Sequence, residues 1–242
     1  MKLFFDMHTH STYSDGKNTI EEMVEEARAK GLRAIAISDH GRSHPLYGVK
    51  KTDFKTMRET IDRLNKKYDD IDIYLSVESN ITGTDGTIDI KEEEKQYCDF
   101  ILAGYHYVFI PSRFQDFFTL WVRNNLANIF PWMRKKTIEA NTQTYIKMMD
   151  RYDIKMITHP GDKIRIDVDQ VAKKAAEKGI ILEINPRHYH LDQHELKIAM
   201  KYPVQFAINS DAHSKFAIAD VEKAYKIAEL AEVPIERIVN CE

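Results

Sequence analysis

The stretch Asp6-Met7-His8-Thr9-His10 closes the first short apolar run of the chain. His8 and His10 are two residues apart, so on a β-strand both imidazoles lie on the same side and can reach one ion. An isolated His-x-His pair is weak evidence, and His188 and His190 form such a pair elsewhere in the chain. The ends of the other apolar runs therefore decide whether the first pair belongs to a site.

The later apolar runs also end in metal-capable side chains. Short, near-continuous apolar runs separated by amphipathic segments are typical of parallel strands buried under helices. A His, Asp or Glu at nearly every strand end predicts a ring of ligands around one pocket, at the rim where barrel enzymes carry their chemistry. The other runs end at Ser38-Asp39-His40, Ser76-Val77-Glu78, Gly104-Tyr105-His106, Thr158-His159-Pro160 and Ser210-Asp211-Ala212-His213.

The amphipathic segments give the chain a strand–helix period that repeats about seven times. The first helix, predicted over Thr19–Lys30, has Glu21 and Glu22 in its first turn and Gly31 just past its end. In an open sheet the ligands gather at one switch point, whereas here nearly every strand offers one, so a closed barrel is favoured. The other predicted helices are Thr52–Tyr68, Lys135–Tyr152, Asp167–Lys178, Gln193–Lys201 and Ile218–Leu230. The predicted strands are Leu3–Met7, Arg33–Ser38, Asp72–Val77, Phe100–Ala103, Ile154–Thr158, Ile180–Ile184 and Val204–Asn209.

One segment interrupts this period. We expect a single domain over residues 1–242 with an aromatic-rich insertion at about 107–133, which includes Phe117, Phe118 and Trp121. The insertion could be a helix packed on the barrel. It could also be a lid over the pocket or a dimer contact, because dense aromatic residues often mark binding surfaces.

Composition narrows the class of protein. The 242 residues are 43% hydrophobic and carry a formal net charge of −3, which argues against a broad basic surface for nucleic acid. No apolar stretch is long enough to span a membrane and no secretory signal is visible. We therefore expect a cytoplasmic protein without a membrane partner.

The order of the candidate ligands resembles the PHP (polymerase and histidinol phosphatase) family of metal-dependent phosphoesterases. The resemblance covers nearly the whole chain and is closest to the small stand-alone phosphatases. It implies an α/β fold, a distorted (β/α)7 TIM-like barrel. The matching motifs are Asp6-x-His8-x-His10, Ser14-Asp15-Gly16, Asp39-His40-Gly41, Glu78, His106, His159-Pro160-Gly161 and Asp211-x-His213.

The resemblance also implies three divalent metal ions. The first would be held by His8, His10, Glu78 and Asp211, the second by a bridging Glu78 with His106 and His159, and the third by Asp15, His40 and His213. Mixed imidazole and carboxylate ligands independently suit zinc, manganese or iron. Asp15 replaces a histidine found in some relatives, and a harder ligand there favours manganese or iron.

These sites predict hydrolysis of a phosphate ester by a metal-bridging hydroxide, because the sequence has no motif of a covalent phosphatase. Arg187 and Arg42 are the preferred side chains for binding the phosphate, and Lys163 and Arg165 are further candidates. Asp39 is expected to act either directly or as a supporting residue.

The expected partner is a small phosphorylated substrate, and a general monoester phosphatase is the favoured activity. A histidinol-phosphate phosphatase is the first alternative, and a nuclease or nucleotide phosphodiesterase is the second, with nucleic acid possible but not favoured. A non-catalytic binding module would lack some ligands, and a hydrolase of C–N bonds would not need Asp15 and Glu78.

Overall fold

The computed structural model describes residues 1–188 and 190–242, and in this part of the chain eight short strands alternate with helices. The helix α6 is the longest, yet no helix among the described residues is long and apolar enough to cross a bilayer. The strands are β1 Phe5–Thr9, β2 Ala34–Ile37, β3 Asp72–Leu75, β4 Glu78–Asn80, β5 Leu102–Gly104, β6 Met156–Ile157, β7 Ile181–Ile184 and β8 Phe206–Ile208. The helices are α1 Ile20–Ala29, α2 Asp53–Lys67, α3 Glu92–Lys95, α4 Phe114–Asp116, α5 Arg123–Ile129, α6 Pro131–Arg151, α7 Val168–Lys178, α8 Gln193–Ala199 and α9 Glu222–Leu230, with a π-helical segment Phe117–Val122 between α4 and α5.

The strands form two parallel sheets. One has the order β1-β2-β3 and the other the order β4-β5-β6-β7-β8. Single parallel bridges join the sheets at both sides, between His40 and Glu78 and between Thr9 and Ala212. Since all the pairs are parallel, the carboxyl ends of the strands meet at one edge.

The predicted α/β class with parallel strands is confirmed. The strand predicted over Asp72–Val77 is shorter in the structure, where β3 ends at Leu75. A separate strand, β4, begins at Glu78 and was not predicted. Helix α3 was not predicted, whereas α4 and α5 lie in the insertion, for which a packed helix was one of the alternatives. Helices α3 and α4 are only four and three residues long. Elements of a single turn carry too little periodicity for a sequence pattern to reveal them.

Local signals explain the helices that were predicted. At the start of α1, the Thr19 hydroxyl accepts a hydrogen bond from the Glu22 amide at 3.3 Å, and the Glu22 carboxylate accepts one from the Thr19 amide at 2.9 Å. This reciprocal pair satisfies two amides that the helix leaves free. The apolar face of α1 is then buried through Ile20, Met23, Val24 and Ala27.

The aromatic-rich insertion forms α4, the π-helical segment, α5 and the start of α6. It is attached through buried contacts, since the Tyr105 hydroxyl donates to the Leu120 carbonyl at 2.9 Å and the Asn141 amide donates to Asn124 Oδ1 at 2.7 Å. Its outer side chains are exposed, Phe114 by 80% and Trp132 by 79%. One face of the insertion therefore packs on the fold and the other is uncovered.

A buried carboxylate ties the two ends of the chain together. Asp6 in β1 accepts hydrogen bonds from the Ser210 amide at 3.1 Å, the Ser210 hydroxyl at 2.6 Å and the Ala219 amide at 3.0 Å. These hydrogen-bond partners of Asp6 all lie in the segment after β8, and none of them is His8 or His10. Asp6 thereby fixes the loop that carries Asp211.

Replacing this carboxylate should destabilise the fold. Asp6→Ala leaves buried donors without an acceptor, so we expect the free energy of unfolding to fall by about 2 to 4 kcal/mol. Urea denaturation measures the change. Asp72→Ala, which removes an exposed carboxylate from β3, is the control and should stay within about 0.5 kcal/mol. Equal losses in the two variants would contradict this role for Asp6.

Candidate metal centre

The structure brings all nine predicted ligands into one contiguous cluster at the carboxyl ends of the strands. Every one of them lies within 3.6 Å of another member of the set. Most of these side chains are buried, although Asp15 and His213 keep contact with solvent. The nine are His8, His10, Asp15, His40, Glu78, His106, His159, Asp211 and His213.

The first predicted group surrounds the end of β1. His8 Nε2 lies 3.6 Å from Asp211 Oδ1, and His10 Nε2 lies 3.3 Å from the same oxygen. The two Nε2 atoms are only 3.1 Å apart. Two imidazole nitrogens that converge on one carboxylate oxygen form a set that could hold one ion.

The second predicted group is centred on Glu78. His159 Nε2 lies 2.8 Å from Glu78 Oε1, and His106 Nε2 lies 3.3 Å from Glu78 Oε2. Gly104 in β5 allows Thr158 and His159 to pack closely against the backbone. A Cβ at position 104 would collide with Thr158 Oγ1 and would lie 3.2 Å from His159 Cε1. The backbone of β5 can therefore lie directly against the loop that carries His159.

The third predicted group lies nearer the surface. His40 Nε2 is 3.5 Å from Asp15 Oδ1 and His213 Nε2 is 3.4 Å from Asp15 Oδ2. His10 also reaches this group, with Nδ1 at 3.9 Å from Asp15 Oδ1. The two ring nitrogens of His10 thus face two different groups, which joins the third group to the first.

One oxygen of Glu78 has an unusual environment. Oε2 lies 3.1 Å from His40 Nδ1, 3.3 Å from His8 Nε2 and from His106 Nε2, and 3.7 Å from His10 Nε2. It is nevertheless buried, and no described residue donates a hydrogen bond to it with acceptable geometry. Bound cations would explain why four imidazole nitrogens surround a carboxylate oxygen without donating a hydrogen bond to it. Ligands of one ion direct their lone pairs at that ion, so they do not donate protons to one another.

The charges agree with this explanation. Burial would raise the pKa of Glu78, but His106, His8 and His159 reverse the effect and hold it well below its usual range. Burial, together with His40, lowers the pKa of His10 to about 3, so this imidazole is neutral and has a lone pair to donate.

Neighbouring carboxylates raise the pKa of His8, in contrast to the lowered pKa of His10. Burial lowers its pKa, yet Glu78, Glu183 and Asp211 raise it well above the usual value. A surrounding that favours a positive charge on this imidazole also favours a metal ion beside it. Anionic oxygens and neutral imidazole nitrogens together fit zinc, manganese or iron.

Glu183 is a residue that the sequence reading missed. It is fully buried in β7, and its Oε1 lies 2.8 Å from His8 Nδ1 while its Oε2 accepts from the His159 amide at 2.8 Å. Asn209 donates to Oε1 at 3.0 Å and Asn185 donates to Oε2 at 3.1 Å. A carboxylate behind a ligating histidine fixes the ring and its tautomer. A lone Glu inside the apolar stretch Ile181–Ile184 was the available signal.

Backbone strain also orients the cluster. His159 has a φ of 27° and Asp211 a φ of 52°, and both are non-glycine residues at strand ends. Left-handed conformations of this kind cost free energy and concentrate at functional sites. The surrounding contacts hold both side chains toward the cluster.

Two of the three residues predicted for catalysis have other partners. Arg42 Nη1 lies 2.6 Å from Oε1 of the buried Glu94, so its guanidinium is held by a carboxylate rather than offered to a substrate. Asp39 accepts from the Ser11 amide at 2.7 Å, the Ser11 hydroxyl at 2.6 Å and the Ser14 hydroxyl. These contacts of Asp39 fix the loop that leads to Asp15, which is the supporting role among its two expected roles.

The third residue, Arg187, stays available. Its side chain is exposed, its amide donates to Asn185 Oδ1 at 2.8 Å, and no carboxylate in residues 1–188 and 190–242 pairs with its guanidinium. His188, which matches no motif of the family, lies beside the cluster, with Nε2 3.5 Å from Asp211 Oδ2 and Nδ1 3.0 Å from Asp162 Oδ2.

The histidines that the sequence reading set apart from the ligands fall into different places. His44 stacks on Tyr47, with the ring centroids 4.5 Å apart. His194 is exposed in the first turn of α8, whereas His190 is half-buried beside Gly161.

Comparison with known proteins supports these observations. The sequence model of the PHP domain matches residues 6–187. A protein named "Probable phosphatase" from Caldicellulosiruptor saccharolyticus is 32% identical, over 98% of this chain and 92% of that protein. One with the same name from Caldicellulosiruptor bescii is 31% identical, over 98% and 92%.

A solved structure has a similar fold. The crystal structure of histidinol phosphate phosphatase from Lactococcus lactis, complexed with zinc, L-histidinol and phosphate, aligns with a TM-score of 0.62 at 16% identity, over 96% of this chain and 94% of that one. At this identity the likeness concerns the fold. The match over residues 6–187 confirms the predicted family, and this chain belongs to the family of PHP-domain proteins.

Proposed function

We propose that this protein is a metal-dependent phosphatase that hydrolyses a small phosphate monoester at a site for three divalent ions. The observation that carries the proposal is the buried Oε2 atom of Glu78, surrounded by four imidazole nitrogens without a hydrogen bond. The prediction of a hydrolase of phosphoric esters also agrees with the names of the relatives.

The fold that holds the site is a distorted TIM-like barrel of the (β/α)7 kind. Its support is the parallel pairing of all the strands and the two single bridges, at His40–Glu78 and Thr9–Ala212, that connect the sheets on either side. Residues of the metal centre lie in or next to both bridges. The site therefore replaces regular strand pairing where the ring would otherwise close.

The ions are assigned to three groups of ligands. His8, His10, Glu78 and Asp211 hold the first, Glu78 with His106 and His159 holds the second, and Asp15, His40 and His213 hold the third. Short separations within each group support the assignment. His40 also lies 3.1 Å from Glu78 Oε2 through its Nδ1, so this imidazole faces both the second and the third group. Zinc, manganese and iron all suit such mixed ligands. When bound, ions of this kind lower the pKa of a water molecule and neutralise phosphoryl oxygens.

Other side chains of the site orient the metal ligands and bind the phosphate. Glu183 fixes His8 and the backbone of His159, and Asn185 joins Glu183 to Asp211 through Nδ2, at 3.1 and 3.3 Å. Asn185 Oδ1 also accepts from the backbone amide of Arg187, which fixes the backbone of Arg187 next to a residue that contacts Asp211. Arg187 can fork onto the oxygens of a phosphate that is held at the cluster.

A histidinol-phosphate phosphatase is the alternative activity, suggested by the fold that this protein shares with the Lactococcus lactis enzyme. The general monoesterase is favoured because Lys163, Arg134 and Arg165 line the cavity beside the cluster, where an amine-bearing leaving group would be repelled. The net charge of −3 does not favour a nuclease or nucleotide phosphodiesterase.

Metal analysis together with an ester screen tests the proposed function. The purified protein should retain close to three ions and hydrolyse phosphate monoesters in preference to diesters when supplied with manganese, zinc or iron. Glu78→Gln removes the bridging charge, so bound metal should fall and kcat should drop by more than about 100-fold, beyond the loss typical of a supporting residue. Glu59→Gln on the exposed face of α2 is the control and should match the wild type. A protein without ions and without turnover of any ester would refute the proposal.

Arg187→Ala separates phosphate binding from metal binding. We expect kcat/KM for a monoester to fall by about tenfold, the scale of one charge-assisted hydrogen bond, while metal content stays at the wild-type level. Steady-state kinetics and elemental analysis provide the two measurements. Arg33→Ala, at another exposed arginine, is the matched control. Wild-type kinetics in Arg187→Ala would remove this residue from the site.

Glu183→Gln tests the supporting carboxylate. The substitution keeps the size of the side chain but removes the charge behind His8, so metal affinity should weaken by about 10- to 100-fold. Competition with a chelator measures this loss without reference to activity. An unchanged affinity would show that Glu183 only fills space in the core.

A further inference from the structure

The cavity beside the metal centre that Lys163, Arg134 and Arg165 line has a volume of about 220 Å³. Residues of the loop after β6 line one side of it, and residues of α5 and α6 line the other, so the aromatic-rich insertion contributes a wall. None of its described lining residues is among the nine candidate ligands. They are Tyr107, Asn124, Ala127, Asn128, Arg134, Thr137, Ile138, Asp162, Lys163, Arg165 and His190.

The lining carries an excess of positive charge. Its one carboxylate, Asp162, lies 2.7 Å from Lys163 Nζ and 3.0 Å from His188 Nδ1. No carboxylate in residues 1–188 and 190–242 forms an ion pair with Arg134 or Arg165. Two guanidinium groups at one cavity without a carboxylate partner favour an anionic ligand.

Arg134 is also held in place. Its Nε donates to the Ala127 carbonyl and its Nη2 to the Asn128 carbonyl, both at 3.2 Å. These bonds to the end of α5 restrain the guanidinium and leave Nη1 without a hydrogen-bond partner among the described residues. A restrained donor loses less freedom when it binds a ligand.

A buried hydroxyl provides independent evidence for a ligand. Thr137 is only 3% exposed and lines the cavity, and its Oγ1 has no hydrogen-bond partner in the described part of the chain. A buried hydroxyl without a partner costs free energy, and such atoms are rare in native proteins. An oxygen of a bound anion would satisfy it.

The cavity is connected to the metal centre through a short chain of contacts. Asp162 forms part of the cavity wall, and its amide donates to the His159 carbonyl at 3.1 Å. The ring of His188 lies between Asp162 and Asp211, with Nε2 3.5 Å from Asp211 Oδ2. Along this chain of contacts, only the side chains of Asp162 and His188 lie between the cavity and Asp211 of the cluster.

We propose that this cavity binds a second phosphate group of the substrate, so that the preferred substrate is a small molecule with two phosphates. Arg134, Arg165, Lys163 and the Thr137 hydroxyl hold the phosphate that is not hydrolysed. The inference rests on the proposed function for the identity of the reacting group. The cavity is smaller than the roughly 300 to 1,000 Å³ of sites for drug-sized ligands, so it suits a phosphate with a few carbons rather than a whole nucleotide.

Binding of phosphonates tests the subsite without requiring turnover. Calorimetry on the manganese-loaded protein compares alkane bisphosphonates, with linkers of two to six methylenes, with monophosphonates of the same length. The best bisphosphonate should bind about tenfold more tightly or better, since a charge-assisted hydrogen bond contributes on that scale. The statistical factor from its two identical ends is only about twofold, which corresponds to roughly 0.4 kcal/mol.

Variants identify the residues responsible. In Arg134→Gln combined with Arg165→Gln, the affinity ratio of bisphosphonate to monophosphonate should fall to the statistical value, whereas the corresponding lysine variant should retain part of it. Both side chains are exposed, so these variants should fold. Lys136→Gln removes a positive charge from the same helix outside the cavity and should leave the ratio unchanged.

Thr137→Val provides a second measurement. It should lower the affinity for the bisphosphonate but leave the melting temperature of the free protein unchanged or slightly raised, because the hydroxyl has no partner to lose. Equal affinities of mono- and bisphosphonates in the wild type, or a ratio that survives the double arginine variant, would overturn the subsite. Failure to hydrolyse any ester would instead overturn the proposed function, so the two failures are distinguishable.

Discussion

The structure of the site depends on one buried carboxylate that is shared among several imidazoles. Glu78 is drawn toward His40, His8 and His106 by Oε2 and toward His159 by Oε1. A charge in this position would be costly without compensation, because burial disfavours ionisation. The surrounding imidazoles offset the free energy of burying this charge only when positive charge, from a proton or a metal ion, is present among them. The cluster is therefore a place where the fold gives up stability for the ability to hold cations.

The fold compensates for this cost with neutral and charged hydrogen bonds behind the ligands. Asp6 fixes the segment before Asp211, Asp39 fixes the loop before Asp15, and Glu183 fixes both His8 and the backbone of His159. Each of these carboxylates is buried and accepts several hydrogen bonds. The strained backbone of His159 and Asp211 can persist because such contacts surround it. The supporting carboxylates and the candidate ligands thus form one structural unit.

Much of the fold was predictable because long elements carry a period. The helix α1 and the parallel strands followed from capping residues and apolar runs. The gathering of the nine candidate ligands followed because parallel strands end at one edge. Side-chain partners were not predictable in the same way. Nothing local distinguishes Arg42, which pairs with Glu94, from Arg187, which has no carboxylate partner among the described residues. Both arginines follow a strand end, and the partner of Arg42 is 52 residues away in the sequence.

The aromatic-rich insertion acquires a meaning that its composition did not suggest. Its aromatic side chains suggested a lid or a dimer contact, and the outermost of them, Phe114 and Trp132, are exposed. The cavity beside the metal centre is lined instead by polar side chains of the insertion and of the part of α6 that follows it, Asn124, Arg134 and Thr137. In the proposed function the strand-end ligands bind the reacting phosphate, whereas residues of α5 and α6 line the adjoining cavity. On this proposal the chemistry and the choice of substrate reside in different parts of the chain. Substitutions around this cavity would then change the substrate preference without changing metal binding. Barrel folds with variable loops generally permit such a separation of substrate binding from the catalytic residues.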